Sequence, residues 1–273
     1  MRAWVDGHLL SDPSDPAIQV ADHGFTVGDG VFEALKVVNG QPFALTRHLQ
    51  RLTRSADGLG LPKLDEELVR RGLKEVLAGE ELPLGRVRIT YTAGPAPLGS
   101  GRGDSHPTLV IVAAPMKPMP ATTAVRTVPW PRNEHSAIAG LKTTSYAENV
   151  VALAHAAAHG ATEAIMANTA GNLCEGTGSN VFYVLDGELR TPSLASGCLP
   201  GVTRALLLEW YDAREVDEPI EVLEHASEVL LVSTTRDVQG VHRCNDRDLA
   251  APGPVTREAS EAWQAGERAG IDP

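Results

Sequence analysis

Apolar positions along the chain recur at two spacings, one typical of strands and one typical of helices. Residues 31–38 form a β-branched apolar run that ends at Asn39-Gly40, a dipeptide typical of tight hairpin turns. From Leu45 to Leu59 apolar residues recur every three or four positions, which predicts a helix with Thr46 as its N-cap. The first part of the chain therefore reads as a hairpin followed by a helix.

The same two spacings continue to the end of the chain. Further helices are predicted over residues 66–77 and 147–159, the second stopped by Gly160. Strands are predicted over residues 86–91, 108–113, 163–167, 180–185 and 228–233. This mixture of helices and strands predicts an α/β (α+β) fold.

Three prolines lie close together in the middle of the chain, at positions 115, 118 and 120. Proline fixes φ and lacks an N–H group, so such a stretch is a poor helix or central strand and a good linker. We therefore predict a small N-terminal α/β domain over residues 1–114, a linker over 115–121 and a larger C-terminal cofactor-binding domain over 122–273.

Composition narrows the class of protein. The chain has 273 residues, of which 42% are hydrophobic, enough for a buried core. Its net charge of -11 argues against nucleic-acid and anionic-membrane partners, which require basic surfaces, and no run approaches the roughly 18 apolar residues of a membrane span. The three cysteines are far apart and the N-terminus shows no apolar signal stretch, which predicts a cytoplasmic protein without disulfides.

Lysine is scarce, and one lysine has an unusual setting. Lys142 lies among small and hydroxyl residues just before the predicted helix at 147, whereas the other lysines fall in a strand, a polar helical region or the linker. A desolvated lysine amine can form a Schiff base or accept a proton from carbon. A solvated surface lysine is the more common case, so Lys142 alone does not decide the chemistry.

Four other segments carry groups that suit a phosphate or a heterocycle. The turn around Val202 and Thr203 opens a helix, whose first N–H groups attract anions. Thr234 and Thr235 end a strand with hydroxyl groups, and Arg51 is a guanidinium off the apolar face of its helix. Glu175 stands in a glycine-rich turn. Each also has an ordinary structural interpretation as a cap, a loop or a surface charge.

Taken in order, these segments resemble the class IV aminotransferase family, the pyridoxal-phosphate enzymes of fold type IV. The resemblance covers nearly the whole chain, and its segments are 22–33, 48–52, 142–146, 163–165, 175–182, 199–204 and 233–235. It implies two α/β domains with the cofactor in a cleft between them, usually as a homodimer.

The resemblance also implies roles for individual residues. Lys142 would bind pyridoxal 5'-phosphate covalently and act as the catalytic base. Glu175 would pair with the pyridine nitrogen, and Tyr146 would lie near the ring hydroxyl. The phosphate would be held by the remaining candidates, Arg51, Val202, Thr203, Thr234 and Thr235.

Two activities of the family remain open. Residues 140–150 and 173–181 look most like proteins assigned as 4-amino-4-deoxychorismate lyases, which release pyruvate and form 4-aminobenzoate, a folate precursor. Tyr146 and Glu33 are equally at home in branched-chain and D-amino-acid aminotransferases, which use a 2-oxo acid acceptor. We expect the lyase, with the aminotransferase as the alternative.

An amino-acid-like substrate carries carboxylate, so cations are expected near the site. Arg88, on a predicted strand, and Arg102, in the glycine-rich loop 99–105, are the candidates for substrate binding, although both could be surface residues. His155 and His159 have the i,i+4 spacing of a metal pair but lack a third ligand, so no metal is expected.

A non-catalytic scaffold is disfavoured because Lys142 is present.

Overall fold

The computed structural model describes residues 1–79, 82–104 and 106–273, and the chain divides into two compact units. The first unit comprises residues 1–118, 141–146 and Asp272. The second unit comprises residues 119–140, 147–271 and Pro273. The main boundary falls between Pro118 and Met119, inside the predicted linker.

The first unit is built on a six-stranded antiparallel sheet with the order β2-β1-β6-β5-β3-β4. Its elements are β1 (Arg2–Val5), β2 (His8–Leu9), α1 (His23–Thr26), β3 (Gly30–Val38), β4 (Gln41–Pro42), α2 (Leu45–Gly58), α3 (Glu66–Leu77), β5 (Leu84–Thr92) and β6 (Thr108–Pro115).

The β3–β4 hairpin forms where the sequence predicts it. Asn39 and Gly40 have φ angles of 49° and 77°, the left-handed values that a tight two-residue turn requires. Helix α3 packs on the sheet at Gly72, where a Cβ atom would lie 2.7 Å from the Ile111 side chain and 3.0 Å from that of Trp4. The close approach of helix and sheet therefore depends on this glycine.

Helix α2 begins differently from the prediction. Its N-cap is Ala44, which has left-handed φ and ψ angles and no capping side chain, not Thr46. The Thr46 N–H and hydroxyl instead donate to the Asp272 carboxylate, at 2.8 and 2.6 Å. A carboxylate distant in sequence thus satisfies the helix N-terminus, which no local pattern reveals.

The second unit contains a nine-stranded mixed sheet. Strands β12-β11-β10-β13-β14-β7-β8-β9 follow one another, and β15 pairs with β14. The elements in chain order are β7 (Thr122–Thr127), α4 (Ala147–Ala158), β8 (Glu163–Ala167), β9 (Leu173–Gly176), β10 (Asn180–Leu185), β11 (Glu188–Thr191), a 3-10 helix (Leu194–Ser196), α5 (Val202–Trp210), β12 (Arg214–Glu215), α6 (Val222–His225), β13 (Glu228–Ser233), β14 (Asp237–Cys244), β15 (Arg247–Asp248) and α7 (Pro254–Ala269).

Strand β10 is apolar at nearly every position because both of its faces are buried. Val181 and Tyr183 belong to one apolar cluster, whereas Phe182 and Val184 belong to another that includes Leu207 from α5. A strand covered on both sides shows a continuous apolar run instead of alternation. This arrangement explains the pattern seen in the sequence at 180–185.

The segment Leu141–Tyr146 corrects the predicted domain division. The sequence assigns it to the C-terminal domain, whereas it packs with the first unit. The Phe32 N–H donates to the Lys142 carbonyl at 2.9 Å, and the Thr144 N–H donates to the Gly30 carbonyl at 2.8 Å. These bonds to β3, rather than the position in the chain, decide where the segment belongs.

Among the described residues, no helix has both the length and the apolar character needed to cross a membrane.

Candidate active site

Lys142 is fixed by backbone contacts to two elements of the first unit. Its carbonyl accepts from β3, as described above, and its own N–H donates to the Ser55 hydroxyl of α2 at 3.1 Å. Leu141, the preceding residue, packs against Gly58, where a Cβ atom would lie only 2.7 Å from the Leu141 side chain. The backbone at Lys142 is therefore held from both β3 and α2.

The Lys142 amine lies in a group of side chains around Phe32. Its Nζ atom is 3.5 Å from the Tyr146 hydroxyl and 4.4 Å from the centroid of the Phe32 ring. The Arg88 guanidinium stacks on the same ring, with Cζ 3.8 Å from the centroid. Lys142, Tyr146 and Arg88, three candidates from the sequence, thus come together.

Arg51 belongs to a buried ionic cluster. Its Nε and Nη2 atoms donate to the two oxygens of Glu33, at 2.6 and 2.8 Å, and His48 Nδ1 lies 2.7 Å from Glu33 Oε2. Burial by itself would raise the pKa of Glu33, but Arg51 and His48 hold that pKa well below its usual range. Burial lowers the pKa of His48, so we assign a neutral ring that donates from Nδ1.

Arg102, the other predicted substrate ligand, lies next to Asp29 and the end of α2. Its guanidinium donates to both oxygens of Asp29 and to the Leu59 and Gly60 carbonyls at the end of α2. Protein acceptors therefore engage Arg102, and it does not join the group around Phe32. Its role as a substrate ligand stays a prediction. Ser105, the last residue of the predicted loop 99–105, lies outside the described residues.

In the second unit, Glu175 is oriented through both of its oxygens. Arg132 Nε donates to Oε1 at 3.1 Å, and the Leu199 N–H donates to Oε2 at 2.9 Å. Arg132 is itself held by Asn149 at 3.1 Å. These contacts from Arg132 and Leu199 fix the orientation of the Glu175 carboxylate.

The N-terminus of α5 has the features of an anion site. Its N-cap is Gly201, without a capping side chain, and a Cβ atom there would lie 2.0 Å from Asn180 Oδ1. Glycine is therefore required for this turn. The helix has nine residues, and Thr203 in its first turn is buried. Helix N–H groups presented in this way suit a phosphate.

Strand pairing brings Thr234 and Thr235 toward the same region of the second unit. Asn180, the first residue of β10, pairs with Val232 near the end of β13, and the two threonines follow in the next turn. Asn180 Nδ2 also donates to the Leu199 carbonyl at 2.9 Å. The turn after β13, the start of α5 and Glu175 therefore meet around the first residues of β10.

The donors and acceptors present fit pyridoxal phosphate. The first unit supplies an amine that could attach this cofactor covalently. The second unit supplies an oriented carboxylate that would suit its pyridine nitrogen and a helix N-terminus that would suit its phosphate. The helix N–H groups at the start of α5, which have no capping side chain, and the buried Thr203 would hold the phosphate.

Sequence reasoning missed several residues that contribute to this geometry. Phe32 lies in the segment 22–33, but the resemblance implies no role for it, although the Lys142 and Arg88 side chains contact its ring. Ser55 and Arg132 have no sequence signal, since a helical serine and an arginine after a proline are common. Their partners Lys142 and Glu175 lie far away in sequence, and only the fold joins them.

His155 of α4 and His159, which directly follows that helix, have neighbouring rings. The rings of His155 and His159 are 4.5 Å apart, and Trp130 contacts His155 edge-on at 5.5 Å. Across the part of the chain that the structure describes, no three His, Cys, Asp or Glu side chains converge as a metal site would require. The pair forms part of an aromatic surface cluster.

Known proteins that are similar to this chain include several aminotransferases. The "Putative branched-chain-amino-acid aminotransferase" of Methanocaldococcus jannaschii is 30% identical to the chain, covering 97% of the chain and 96% of that protein. D-alanine aminotransferase of Staphylococcus epidermidis is 27% identical, covering 96% of each. Among solved structures, "A hypothetical aminotransferase from Mycobacterium tuberculosis, PLP-bound form" is 30% identical, with a TM-score of 0.86 and coverage of 97% and 98% of the two chains.

The family model described as amino-transferase class IV matches residues 30–244, which include Lys142, Arg51, Glu175 and the turns at 202 and 234. The chain belongs to the class IV aminotransferase family, whose cofactor is pyridoxal 5'-phosphate.

Proposed function

We propose that the protein is an aminotransferase that transfers an amino group between an amino acid and a 2-oxo acid. The observation that carries the proposal is the Lys142 amine, 3.5 Å from the Tyr146 hydroxyl with Arg88 stacked on the neighbouring Phe32 ring. The relatives named as branched-chain and D-alanine aminotransferases, which match over nearly their whole length, support this activity over the lyase.

The cofactor-binding roles follow the residues that the structure orients. We assign covalent attachment to Lys142, and the ring hydroxyl to Tyr146. Glu175, held by Arg132 and Leu199, is the partner of the pyridine nitrogen. The phosphate ligands are the first turn of α5 at Val202 and Thr203, the hydroxyls of Thr234 and Thr235, and Arg51.

Bound pyridoxal phosphate supplies an electron sink for the bond broken at the substrate carbon. The protein then has to move one proton, and the Lys142 amine is the group placed to accept it and return it. The Tyr146 hydroxyl, within 3.5 Å, orients this amine. Arg88, next to the same ring, binds a substrate carboxylate.

The first test concerns the lysine. The purified protein is reduced with borohydride in the presence of pyridoxal phosphate, and its peptides are analysed by mass spectrometry. We expect the label on the peptide that contains Lys142. Lys142→Ala should lose the label and the activity, whereas Lys117→Ala, a change of an exposed lysine, should keep both. Labelling of Lys142→Ala at a specific lysine elsewhere would contradict the assignment.

The lyase expected from the sequence is the second candidate, supported by the resemblance of residues 140–150 and 173–181. Its substrate carries two carboxylates, for which Arg88 and Arg102 are the predicted ligands. The protein is given 4-amino-4-deoxychorismate alone, and separately a branched-chain or D-amino acid with a 2-oxo acid. Amino-group exchange without 4-aminobenzoate supports the aminotransferase, and 4-aminobenzoate with pyruvate supports the lyase.

We also propose that the protein is a cytoplasmic homodimer. The resemblance implies a dimer, and the first unit exposes large apolar side chains in two adjoining segments, with Val20, Phe25 and Leu98 each more than three-quarters exposed. The Ala96 N–H donates to the Ala21 carbonyl at 3.1 Å, which joins the two segments. Phe25→Ser should shift the protein toward the monomer in light scattering, and an unchanged mass would contradict this surface.

The three cysteines form no disulfide, consistent with a reducing compartment.

A further inference from the structure

Arg102 is bound more completely than a substrate ligand would be. Its Nε and Nη2 atoms each donate to an oxygen of Asp29 at 2.6 Å. Nη2 also donates to the Leu59 carbonyl at 2.8 Å, and Nη1 donates to the Gly60 carbonyl. All three nitrogens of the guanidinium therefore have protein acceptors. The hydrogen bonds to Asp29 raise the pKa of Arg102, as expected for a bidentate pair.

Asp29, the acceptor of this ion pair, lies where residues 28–30 contact the lysine-bearing segment 141–146. The backbone on either side of Asp29 accepts from the lysine-bearing segment, because the Thr144 hydroxyl donates to the Gly28 carbonyl at 2.9 Å and the Thr144 N–H donates to the Gly30 carbonyl at 2.8 Å. The Ser145 hydroxyl also donates to the Gly28 carbonyl, at 3.1 Å. Residues 28–30 therefore support residues 144–145, which lie between Lys142 and Tyr146.

The packing at this junction leaves little room for adjustment. Gly28 has a φ angle of 70°, and a Cβ atom there would lie 2.8 Å from the Ser145 hydroxyl. Residues 28–30 and Ser145 are therefore in close contact at this junction. The Asp29 carboxylate is the only ionic group of these three residues.

A second contact holds the same loop. The fully buried His23 lies with Nε2 2.9 Å from the Pro97 carbonyl and Nδ1 3.7 Å from Asp29 Oδ2. The Asp29 N–H donates to the His23 carbonyl at 3.0 Å. The loop 95–104 is thus held at two points. Pro97 contacts His23, which lies next to Asp29, and Arg102 binds Asp29 directly.

We propose that Arg102 is a positioning residue: through Asp29 it fastens the loop 95–104 to residues 28–30, which in turn hold the lysine-bearing segment 141–146. A change in the loop 95–104 should therefore affect the segment 141–146, and the Asp29 carboxylate is the group that links the two. The geometric coupling is independent of the activity, and its catalytic consequence rests on the proposed function. This assignment replaces the substrate-binding role predicted for Arg102 from the sequence.

Hydrogen–deuterium exchange of the protein without cofactor tests the coupling directly. Arg102→Ala and Asp29→Ala should each speed exchange about tenfold in the peptides covering 95–104 and 141–146, a factor equal to the loss of one hydrogen bond to a charged group. The double variant should exchange no faster than either single variant. Arg70→Ala, which removes an exposed arginine paired with Glu66 on α3, is the matched control and should change neither peptide.

Faster exchange confined to 95–104 would overturn the proposal, since the loop would then be anchored without any link to the lysine segment. Additive effects in the double variant would overturn it as well, because the two side chains would then act separately. This experiment needs no substrate, so its result stands even if the proposed activity fails.

Steady-state kinetics separates positioning from substrate binding. If Arg102 positions the loop, Asp29→Ala and Arg102→Ala raise KM by the same factor, and the double variant raises it no further. If Arg102 binds substrate, Arg102→Ala alone raises KM, while Asp29→Ala leaves the guanidinium available and KM unchanged. The second outcome would contradict the proposal.

Discussion

Two buried glutamates, one in each unit, are stabilised by different chemistry. Glu33 in the first unit accepts from a guanidinium through both oxygens and from an imidazole. Glu163 in the second unit accepts mainly from neutral donors, namely the Thr177 N–H at 3.0 Å, the Thr177 hydroxyl and the Ser179 hydroxyl at 2.9 Å. Its nearest cation, Arg236, is 3.6 Å away.

The difference shows two ways to bury a carboxylate. Around Glu33, opposite charges compensate one another, so removal of either leaves an uncompensated ion in the core. Around Glu163, hydroxyl and amide donors satisfy the oxygens, and a neutral acceptor of the same shape can replace part of that function. The first arrangement ties β3 to α2, whereas the second orders the turn that follows Glu175.

The substitution Glu33→Gln should have the largest effect and tests whether Glu33 is stabilised mainly by opposite charge. In the protein without cofactor, this change removes the carboxylate that compensates the buried Arg51 guanidinium, and we expect the free energy of unfolding to fall by about 3–5 kcal/mol. Urea denaturation followed by circular dichroism measures the change. A loss below about 1 kcal/mol, typical of exposed pairs, would show that the cluster is not an essential ion pair.

The pH dependence of the free energy of unfolding gives a second test of the charge on Glu33. Because the pKa of Glu33 is lower in the folded protein than its reference value of 4.5, the folded state binds fewer protons, and this stabilisation is complete above that value. It is lost as the pH falls below 4.5 toward the folded pKa. The stability difference between the wild type and Glu33→Gln should therefore shrink in that range, as denaturation midpoints at pH 7, 5 and 4 would show. A constant difference would contradict the lowered pKa.

Glu163→Gln should have a smaller effect. The amide oxygen can still accept from the two Thr177 donors, and the amide nitrogen can donate to the Ser179 hydroxyl. We therefore expect a loss of about 1–2 kcal/mol, measured in the same urea experiment. Glu66→Gln, which breaks the exposed Glu66–Arg70 pair on α3, serves as the control and should cost less than about 0.5 kcal/mol. A loss for Glu163→Gln as large as that for Glu33→Gln would remove the distinction between the two sites.

The local patterns predicted the regular elements well. The helix over 66–77 and the strands over 163–167, 180–185 and 228–233 have the bounds found in the structure. Side-chain spacing suffices there because each element buries one face or, in β10, both faces. Prediction failed at the start of α2, where the capping group is Asp272 instead of Thr46. A cap supplied from far along the chain leaves no mark in the local sequence.

The sequence by itself determined the family and the cofactor, because the ordered segments around Arg51, Lys142 and Glu175 are short-range patterns that the chain itself displays. The roles of these three residues stay predictions. Tertiary structure alone decided that residues 141–146 pack with the first unit, that Phe32 is the centre of the lysine group, and that Arg102 pairs with Asp29. The physical reason is that a charge or hydrogen-bond donor takes the nearest acceptor in space, and only the folded chain defines which acceptor that is.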